Sequence, residues 1–397
     1  MPATLAIDGG TPVRKTLLPY GRQSVSEEDI AAVTEVLRSD WLTTGPKIKE
    51  FETAFADFCG VHEAVAVNSG TAALHAAMFA LDIGKGDEVI VPTMTFAATA
   101  NAVVFQGGTP VFVDSDPATL LIDPVCVEKA ITKNTKAIIA VDYAGQPADY
   151  AALSAIAQKH KLALVADACH ALGGKDNDHS VGSLADLSTF SFHPVKPMTT
   201  GEGGMITTDN HDYAKRMRRF RNHGITSEHR ERHEARSWFY EMQELGYNYR
   251  LTDIQSALAM SQLKKVLQWN ERRRAIAKKY DTALAMLPGV HTLKVRKNVV
   301  HAYHLYVVQI VPERLRVGRK EIFEALSAEN IGVNVHYVPA HLHPFYKKRF
   351  GTKPGMCPMA EAAYERMLSL PIFAAMSDSD ADDVIEAVRK VCAFYAR

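Results

Sequence analysis

Apolar residues along the first two-thirds of the chain fall into short runs that alternate with stretches of helical periodicity. These candidate strands lie at residues 64–67, 88–91, 110–113, 137–141, 162–166, 187–192 and 205–208, and most of them are rich in Val, Ile and Ala. Helical spacing of apolar residues connects several of them, as at 71–81 and 150–160. Near-continuous apolar strands joined by helices are typical of a parallel sheet covered on both faces. The pattern therefore predicts an α/β fold with a mostly parallel, seven-stranded sheet.

The pattern changes after Leu251, where a long run of helical periodicity begins. Thr252 is its candidate N-cap, and the run continues to Leu284. Beyond residue 293, strand-like runs at 303–310 and 332–337 mix with helical patterns at 319–329, 360–368 and 377–396. A chain of 397 residues exceeds the size at which one hydrophobic core stops growing. We therefore predict a large domain over residues 1–258 and a smaller α+β domain over residues 259–397.

The charges of the chain balance, with 45 Lys and Arg residues against 45 Asp and Glu residues. This balance argues against a nucleic-acid-binding protein, which normally carries a basic excess. A local exception is the basic stretch 215–236, which contains Arg216, Arg218, Arg219, Arg221, Arg230, Arg232 and Arg236. That stretch is either a solvated helix and loop or a basic rim for an anionic substrate such as a sugar diphosphate.

Five cysteines are scattered along the chain without a Cys-x-x-Cys pair. Their number and spacing indicate neither a disulfide framework nor a zinc site, and we predict no metal site. The N-terminus lacks the charged start and apolar run of a signal peptide, and no apolar stretch approaches the roughly 20 residues that span a bilayer. We therefore expect a cytoplasmic protein without a membrane partner.

Candidate binding residues directly follow the predicted strand 64–67. The sequence Asn68-Ser69-Gly70-Thr71 stands between that strand and a predicted helix. Glycine lets the backbone approach a ligand, and the start of a helix offers free N–H groups and a positive dipole end to a phosphate. Taken alone, the segment fits an ordinary strand-to-helix turn, with Thr71 as the helix cap, as well as it fits a phosphate site.

Two polar side chains follow the predicted strand 162–166, in the sequence Val-Ala-Asp167-Ala-Cys-His170. A carboxylate at the end of a buried strand is costly unless a partner compensates it, and a protonated pyridine nitrogen is one such partner. His170 lies about one helical turn further and is a candidate contact to the same ring. The alternatives are a helix N-cap for Asp167 and a structural role for the histidine.

A lysine bracketed by prolines follows the predicted strand 187–192, in the sequence Pro194-Val195-Lys196-Pro197. The prolines fix its backbone, which suits an amine that must reach one carbon atom. Desolvation and nearby cationic groups would lower its proton affinity and make it nucleophilic. Lys196 and Asp167 are 29 residues apart (196 − 167), one strand–helix–strand unit, so both side chains are expected at one sheet edge. The alternative is an exposed loop lysine.

Phe96 follows the predicted strand 88–91, where it either stacks on a flat heterocycle or belongs to the core. Together, Phe96, Asp167, Lys196 and the helix start at Gly70 are the groups that pyridoxal 5'-phosphate (PLP) requires. The amine forms a Schiff base, the carboxylate keeps the ring nitrogen protonated, the aromatic ring covers one face, and the helix start holds the phosphate. We therefore predict a PLP-dependent enzyme.

Four segments resemble the DegT/DnrJ/EryC1/StrS family of PLP-dependent sugar aminotransferases. They are Asn-Ser-Gly-Thr at 68–71, Asp-Ala-Cys-His at 167–170, Ser-Phe-His-Pro-Val-Lys at 191–196 and Gly-Tyr-Asn-Tyr-Arg-Leu at 246–251. The resemblance extends from Leu-Thr-Thr-Gly-Pro at 42–46 to Leu-Ser-Leu-Pro at 368–371, and it implies the fold type I architecture. Members that dehydrate sugars carry histidine in place of the lysine, so Lys196 favours transamination.

The resemblance implies roles for the residues around the cofactor. Lys196 would carry the Schiff base and move the proton, while Asp167 would pair with the ring nitrogen. His170 would lie near the phenolic oxygen of PLP. Ser191 and the backbone of Gly70-Thr71 would hold the phosphate.

The resemblance also implies contacts to the other ring face, the partner subunit and the substrate. Phe96 would stack on the ring, and Asn248 would reach the phosphate of the neighbouring subunit's cofactor, which requires a homodimer. His336, Tyr337 and Arg250 would line the substrate site.

By the same resemblance, the amino donor is L-glutamate and the acceptor is a nucleotide-linked keto-sugar, aminated at C4 of a UDP-linked 4-keto-6-deoxy-N-acetylhexosamine. The sequence shows no clear small-domain arginine motif for an α-carboxylate, and Arg221 and Arg250 are the candidates for binding glutamate. Two alternatives stay open. One is the same chemistry on another keto acceptor, namely a 3-keto nucleotide sugar, a keto-sugar acid or an inosose. The other is a PLP-binding protein without turnover.

Overall fold

A computed structural model of the chain describes residues 4–226, 232 and 236–397. The strands of the described residues, numbered β1 to β13, are Glu63–Val67, Glu88–Pro92, Thr109–Val113, Thr135–Val141, Ala163–Asp167, Lys175–Asp176, His179–Ser180, Leu187–Ser191, Gly204–Thr208, Val290–Thr292, Val299–Val300, Tyr306–Ile310 and Met367–Leu370. Their α-helices, numbered α1 to α13, are Glu27–Leu37, Pro46–Cys59, Gly70–Ala80, Ala97–Phe105, Pro124–Ala130, Tyr150–His160, His211–Phe220, Asp253–Leu263, Val266–Leu284, Arg319–Ala328, Pro344–Phe350, Pro358–Tyr364 and Asp378–Tyr395. Arg230 of the predicted basic stretch lies outside the described residues.

Seven strands form the central sheet in the order β1-β9-β8-β5-β4-β2-β3. Strand β9 runs antiparallel to its neighbours β1 and β8, whereas the other neighbouring pairs are parallel. Each of the seven predicted strands is present, with ends that shift by at most two residues. The predicted α/β class and the mostly parallel sheet are confirmed.

Helices cover both faces of this sheet because successive side chains of a strand point to opposite sides. In β2, Val89 and Val91 pack in one buried cluster with α3 and α4, whereas Ile90 packs in another with α2 and α6. Because both faces are filled by side chains, a ligand can reach the sheet only at its edges. In open α/β sheets it does so at the carboxyl ends of the parallel strands.

A smaller antiparallel sheet of β10, β12 and β13 lies in the C-terminal part of the chain. Helices α9, α10 and α13 pack with it in a third buried cluster, which also contains Leu5 and Leu18 from the N-terminal segment. The predicted domain boundary between residues 258 and 259 falls inside α8 and stays a prediction. In the described parts of the chain, no helix combines the length and apolarity needed to cross a bilayer.

Two predictions for the C-terminal part were wrong. Residues 332–337 form no strand and make only one bridge, between Asn334 and Ser369, because the chain then turns towards the central sheet. The predicted helix 360–368 ends at Tyr364, and Leu368 belongs to β13, where it pairs with Val308.

Two further predictions were right in type but wrong in extent. The strand predicted at 303–310 begins only at Tyr306, because Tyr303 has a φ of 49° and extended strands exclude that left-handed conformation. The helical run after Leu251 is two helices, α8 and α9, and not one. Thr252 is confirmed as its N-cap, since its side chain accepts a hydrogen bond from the N–H of Gln255.

Candidate active site

The carboxyl ends of β1, β2, β5 and β8 meet along one edge of the central sheet, called here the carboxyl edge. Gly70 follows β1, Asp167 ends β5 and Ser191 ends β8. A Cβ atom at Gly70 would lie 2.8 Å from Cβ of Ser191 and 3.4 Å from Sγ of Cys169. The segments that the sequence analysis expected to converge therefore lie in contact.

The start of α3 presents backbone donors at this edge. Ser69 caps the helix by accepting a hydrogen bond from the N–H of Ala72 at 3.1 Å, and its carbonyl accepts from Ala73. The alternative interpretation of Thr71 as the cap is wrong, because Thr71 already lies inside the helix. The capping contacts do not use the N–H groups of Gly70 and Thr71, which lie at the positive end of the helix dipole, where an anion is favoured.

Asp167 is a buried carboxylate, with 6% of the residue exposed. Oγ1 of Thr99 donates a hydrogen bond to its Oδ2 at 2.7 Å, and Thr95 bonds Thr99 in turn at 2.7 Å. Its Oδ1 has only a long contact of 3.4 Å from the N–H of Cys169. No α-helix of the described chain begins directly after Asp167, so the N-cap alternative is wrong. One oxygen of this carboxylate is firmly held, and the other is only weakly bonded.

Lys196 is half-buried and lies on the turn that follows β8, so it is not an exposed loop lysine. Its N–H donates to the carbonyl of His193, and the hydroxyl of Thr199 donates to the carbonyl of Phe192, which ties the turn to the strand end. Burial lowers the pKa of Lys196, an effect that Cys169 and Asp167 oppose electrostatically. Lys196 and Asp167 therefore lie within electrostatic reach of each other.

Two side chains from distant parts of the chain meet over this edge. His170 is 5% exposed, and its Nε2 lies 3.0 Å from the hydroxyl of Tyr337. Burial lowers the pKa of His170 well below its ordinary value, and the charge of Lys196 lowers it further. Its Nδ1 is buried without a hydrogen-bond partner among the described residues. His170 is therefore a neutral, incompletely bonded ring at the candidate site.

Phe96 and His336 complete this side of the site. Phe96 is 61% exposed, so the core alternative is wrong, and its ring lies 5.9 Å from that of Tyr337. His336 is buried, with Nδ1 2.8 Å from the hydroxyl of Ser369. Burial lowers its pKa to about 4, which makes the ring neutral at physiological pH.

Asn248 and Arg250 belong to a segment that lies beside the end of the edge strand β1. The N–H of Asn68 donates to the carbonyl of Tyr249, and the Asn68 amide donates to the carbonyl of Asn248 at 3.4 Å. The side chain of Asn248 is exposed there. Arg250 donates to Oδ1 of Asn222 at 2.7 Å and lines a cavity of about 350 Å³. The described contacts therefore place Asn248 beside Asn68 and Arg250 beside Asn222.

Arg221, the other candidate for glutamate, has a structural environment. It is buried, pairs with the carboxylate of Glu52 and donates to the carbonyl of Ala66 at 2.8 Å. Its charge is thus compensated inside the fold, at the open side of β1.

Sequence reasoning missed several residues that contact the site. Thr99 lies one helical turn after Phe96 on α4, a spacing that could have indicated it. His304, whose ring lies 4.4 Å from that of His170, and Arg273 on α9 carry no local signal in the sequence.

Comparisons with known proteins agree with this geometry. The chain matches the model of the DegT/DnrJ/EryC1/StrS aminotransferase family over residues 23–389. It is 45% identical over 380 residues to the spore coat polysaccharide biosynthesis protein SpsC of Bacillus subtilis, a match that covers 95% of this chain and 98% of that protein.

Two solved structures are similar along almost their whole length. Spr1654 from Streptococcus pneumoniae, in its PLP form, has a TM-score of 0.89 at 33% identity, covering 95% of this chain and 99% of that chain. Helicobacter pylori PseC, an aminotransferase involved in the biosynthesis of pseudoaminic acid, has a TM-score of 0.88 at 32% identity, covering 96% of this chain and 100% of that chain.

Proposed function

We propose that this protein transfers an amino group from L-glutamate to a nucleotide-linked keto-sugar. The chain belongs to the DegT/DnrJ/EryC1/StrS aminotransferase family and is a PLP-dependent aminotransferase. The observation that carries the proposal is that Asp167 ends β5 and Lys196 follows β8, the neighbouring parallel strand, so that both residues lie at the carboxyl edge. A half-buried amine and a buried carboxylate are the two side chains that PLP chemistry requires.

The described residues at the carboxyl edge fit the cofactor. Gly70 lies so close to Ser191 that no side chain fits between them, and the N-terminus of α3 would supply the positive dipole end that favours a phosphate. The weakly bonded oxygen of Asp167 suits a protonated ring nitrogen, since a buried carboxylate needs a cationic partner. The unpartnered Nδ1 of His170 suits a further polar contact to the ring. We assign the phosphate to Gly70, Thr71 and Ser191, the ring to Phe96, Asp167 and His170, and the covalent bond to Lys196.

When bound, PLP withdraws electrons from the carbon that carries the transferred amino group. Lys196 would hold the cofactor, and its free amine would take a proton from the donor carbon and return one to the product carbon. Burial lowers the pKa of this amine, which increases the neutral fraction that can accept a proton. The carboxylate of Asp167 stabilises the positive charge on the ring nitrogen.

We propose C4 of a UDP-linked 4-keto-6-deoxy-N-acetylhexosamine as the position that is aminated. SpsC is described by its role in spore coat polysaccharide biosynthesis and PseC by its role in pseudoaminic acid biosynthesis, which supports a sugar acceptor. Tyr337 lies next to Phe96 and His336 lies next to Tyr337, and both would contact the sugar ring. The cavity beside Arg250 is also lined by Arg232, which suits a diphosphate.

We further propose that the active protein is a homodimer in which Asn248 reaches the cofactor phosphate of the neighbouring subunit. Asn248 is exposed beside the edge strand β1. Large apolar side chains are exposed in the preceding residues, namely Trp238, Phe239, Tyr240, Met242, Leu245 and Tyr247. Several large exposed apolar side chains in one short segment are typical of a protein–protein interface, and a second copy of the chain would cover them.

Replacing the proposed lysine tests the reaction. K196A should abolish the visible absorbance of the bound cofactor and its bleaching by L-glutamate, whereas K85A, at an exposed loop lysine, should change neither. Full activity of K196A would end the proposal.

A panel of acceptors tests the substrate. The glutamate-treated enzyme is mixed with 4-keto and 3-keto nucleotide sugars, a keto-sugar acid and an inosose. We expect the 4-keto UDP-sugar to restore the original absorbance fastest. Faster recovery of the absorbance with another acceptor would mean that the protein is an aminotransferase with a different substrate. If no amino donor bleaches the absorbance, the protein binds PLP without turnover.

A further inference from the structure

Arg273 on α9 is a buried cation, with 3% of the residue exposed. Its Nε and Nη1 atoms are buried and have no hydrogen-bond partner among the described residues. The preceding residue, Arg272, shows the usual arrangement, because it bonds Asp378 at 2.7 Å and the carbonyl of Met376 at the surface. A buried guanidinium without a partner is costly, so such a group normally pairs with an anion. Its environment therefore points to an anionic ligand.

A small cavity joins Arg273 to the candidate active site. Its volume is about 10 Å³, and it lies between α9, the turn that carries Lys196 and the N-terminal segment at Arg22. The described residues that line it include these three cations and no Asp or Glu. A volume of this size holds about one water-sized group, which corresponds to a carboxylate oxygen and not to a whole ligand. A larger ligand would extend beyond the cavity, and Lys196 is one of the residues that line it.

An electrostatic effect on His304 also places Arg273 beside the site. His304 is buried against His170, with the two ring centroids 4.4 Å apart. Burial lowers the pKa of His304 well below its ordinary value, and His170, Lys196 and Arg273 lower it further. Arg273 and Lys196 therefore act on the same buried group.

We propose that Arg273 binds a carboxylate of the amino donor. The inference rests on the proposed function, in which that donor is L-glutamate. The donor carries carboxylates within a few bonds of the reacting carbon, whereas the charges of a nucleotide-sugar acceptor lie on the diphosphate beyond the sugar ring. A guanidinium matches a carboxylate with two parallel hydrogen bonds, which gives both affinity and orientation. Arg221, in contrast, already has Glu52 as its partner.

The test compares PLP-loaded wild type with R273Q, R273K and R272Q. Bleaching of the cofactor absorbance is followed at increasing concentrations of L-glutamate, L-glutamine and 4-aminobutyrate. Glutamine lacks the side-chain charge, and 4-aminobutyrate lacks the α-carboxylate. In R273Q, we expect the half-saturating glutamate concentration to rise about 30-fold or more, the change expected when one partner of a buried charged pair is removed. R273K should lie in between, and R272Q should behave as the wild type does.

The donors also distinguish binding from a structural role. If Arg273 binds the side-chain carboxylate, R273Q should leave glutamine unaffected; if it binds the α-carboxylate, R273Q should leave 4-aminobutyrate unaffected. Calorimetric binding of glutarate, which involves no turnover, should weaken in parallel. An equal loss with all three donors, or unchanged saturation by glutamate, would overturn the inference. A wild type that reacts with none of the donors would instead overturn the proposed function, and the inference with it.

Discussion

Two groups of polar and charged side chains lie near the ends and the open side of the central sheet. They differ in how completely the hydrogen-bonding atoms of each group are paired. On the open side of β1, Glu52 accepts from the N–H of Ala66, Arg221 donates to the carbonyl of Ala66, and Arg218 donates to that of Ala64. These side chains supply the hydrogen bonds that a further strand would make. At the carboxyl edge, in contrast, Asp167 has one weakly bonded oxygen and His170 an unpartnered nitrogen among the described residues.

The difference separates structural charges from functional ones. A buried polar group that is fully bonded stabilises the fold, whereas one left incompletely bonded costs stability and is kept when a ligand completes it. The cluster around Glu52 should therefore affect stability and leave activity intact. Residues at the carboxyl edge should show the opposite behaviour.

The largest effect is expected for D167N. Loss of the negative charge should lower the rate of the glutamate reaction by about 10²–10³-fold, comparable to removal of one preorganised electrostatic group from an active site. The free energy of unfolding of the cofactor-free protein should not fall, because an incompletely paired buried charge is removed. Stopped-flow absorbance and urea denaturation measure the two quantities. D40N, at an exposed position, is the control, and a strong loss of stability in D167N would break the comparison.

E52Q should show the reverse pattern. Removing one charge of the buried Glu52–Arg221 pair is expected to lower the free energy of unfolding by about 3 kcal/mol. Activity per folded molecule should stay the same. The control is E50Q on the same helix, whose partner Lys47 is solvent-accessible and whose loss should cost little. Lost activity in folded E52Q would place this cluster in the active site.

G70A sharpens the assignment of the phosphate site. A methyl group at Gly70 would lie 2.8 Å from Cβ of Ser191, and overpacking of this kind costs about 1–3 kcal/mol. We expect that cost in the affinity for PLP, measured by fluorescence titration. G84A is the control, because the nearest atom to its new methyl group is 3.9 Å away. PLP affinity unchanged in G70A would argue against a phosphate here.

The smallest effect concerns His75, which is buried on α3 away from the carboxyl edge. Burial lowers its pKa from 6.5 to about 4, so the unfolded chain binds more protons than the folded one between these values. His75 therefore lowers the free energy of unfolding as the pH falls from 6.5 towards 4. At pH 5 this loss is about 1–2 kcal/mol. In H75F, the loss of unfolding free energy between pH 7 and pH 5 should be smaller than in wild type. The exposed variant H179F should keep the full loss, and an unchanged pH dependence in H75F would contradict the assignment.

The central sheet was predictable because most of its strands contain short runs of Val, Ile and Ala. The residues that follow those runs are also predictable in position, because parallel strands bring their carboxyl ends to one edge. For this reason the amino-acid sequence alone is enough to group Gly70, Asp167, Ser191 and Lys196.

Residues that do not follow a strand of the central sheet could not be placed from the sequence in this way. Residues 332–337 have the composition of a strand, but their position is set by contacts to the large sheet, including the bond from Tyr337 to His170. Arg273 is one of several arginines on a long helix, and only the packing of that helix decides which one faces inward. The partner of Asn248 would lie in another subunit, which a single chain does not contain.

Reductive trapping of the cofactor tests the central claim most directly. Borohydride treatment of the PLP-loaded enzyme makes the bond between lysine and cofactor permanent, and peptide mass spectrometry then locates it. The account predicts a single modified peptide that carries the label on Lys196. A label on any other lysine, or no label on a protein that contains bound PLP, would contradict it.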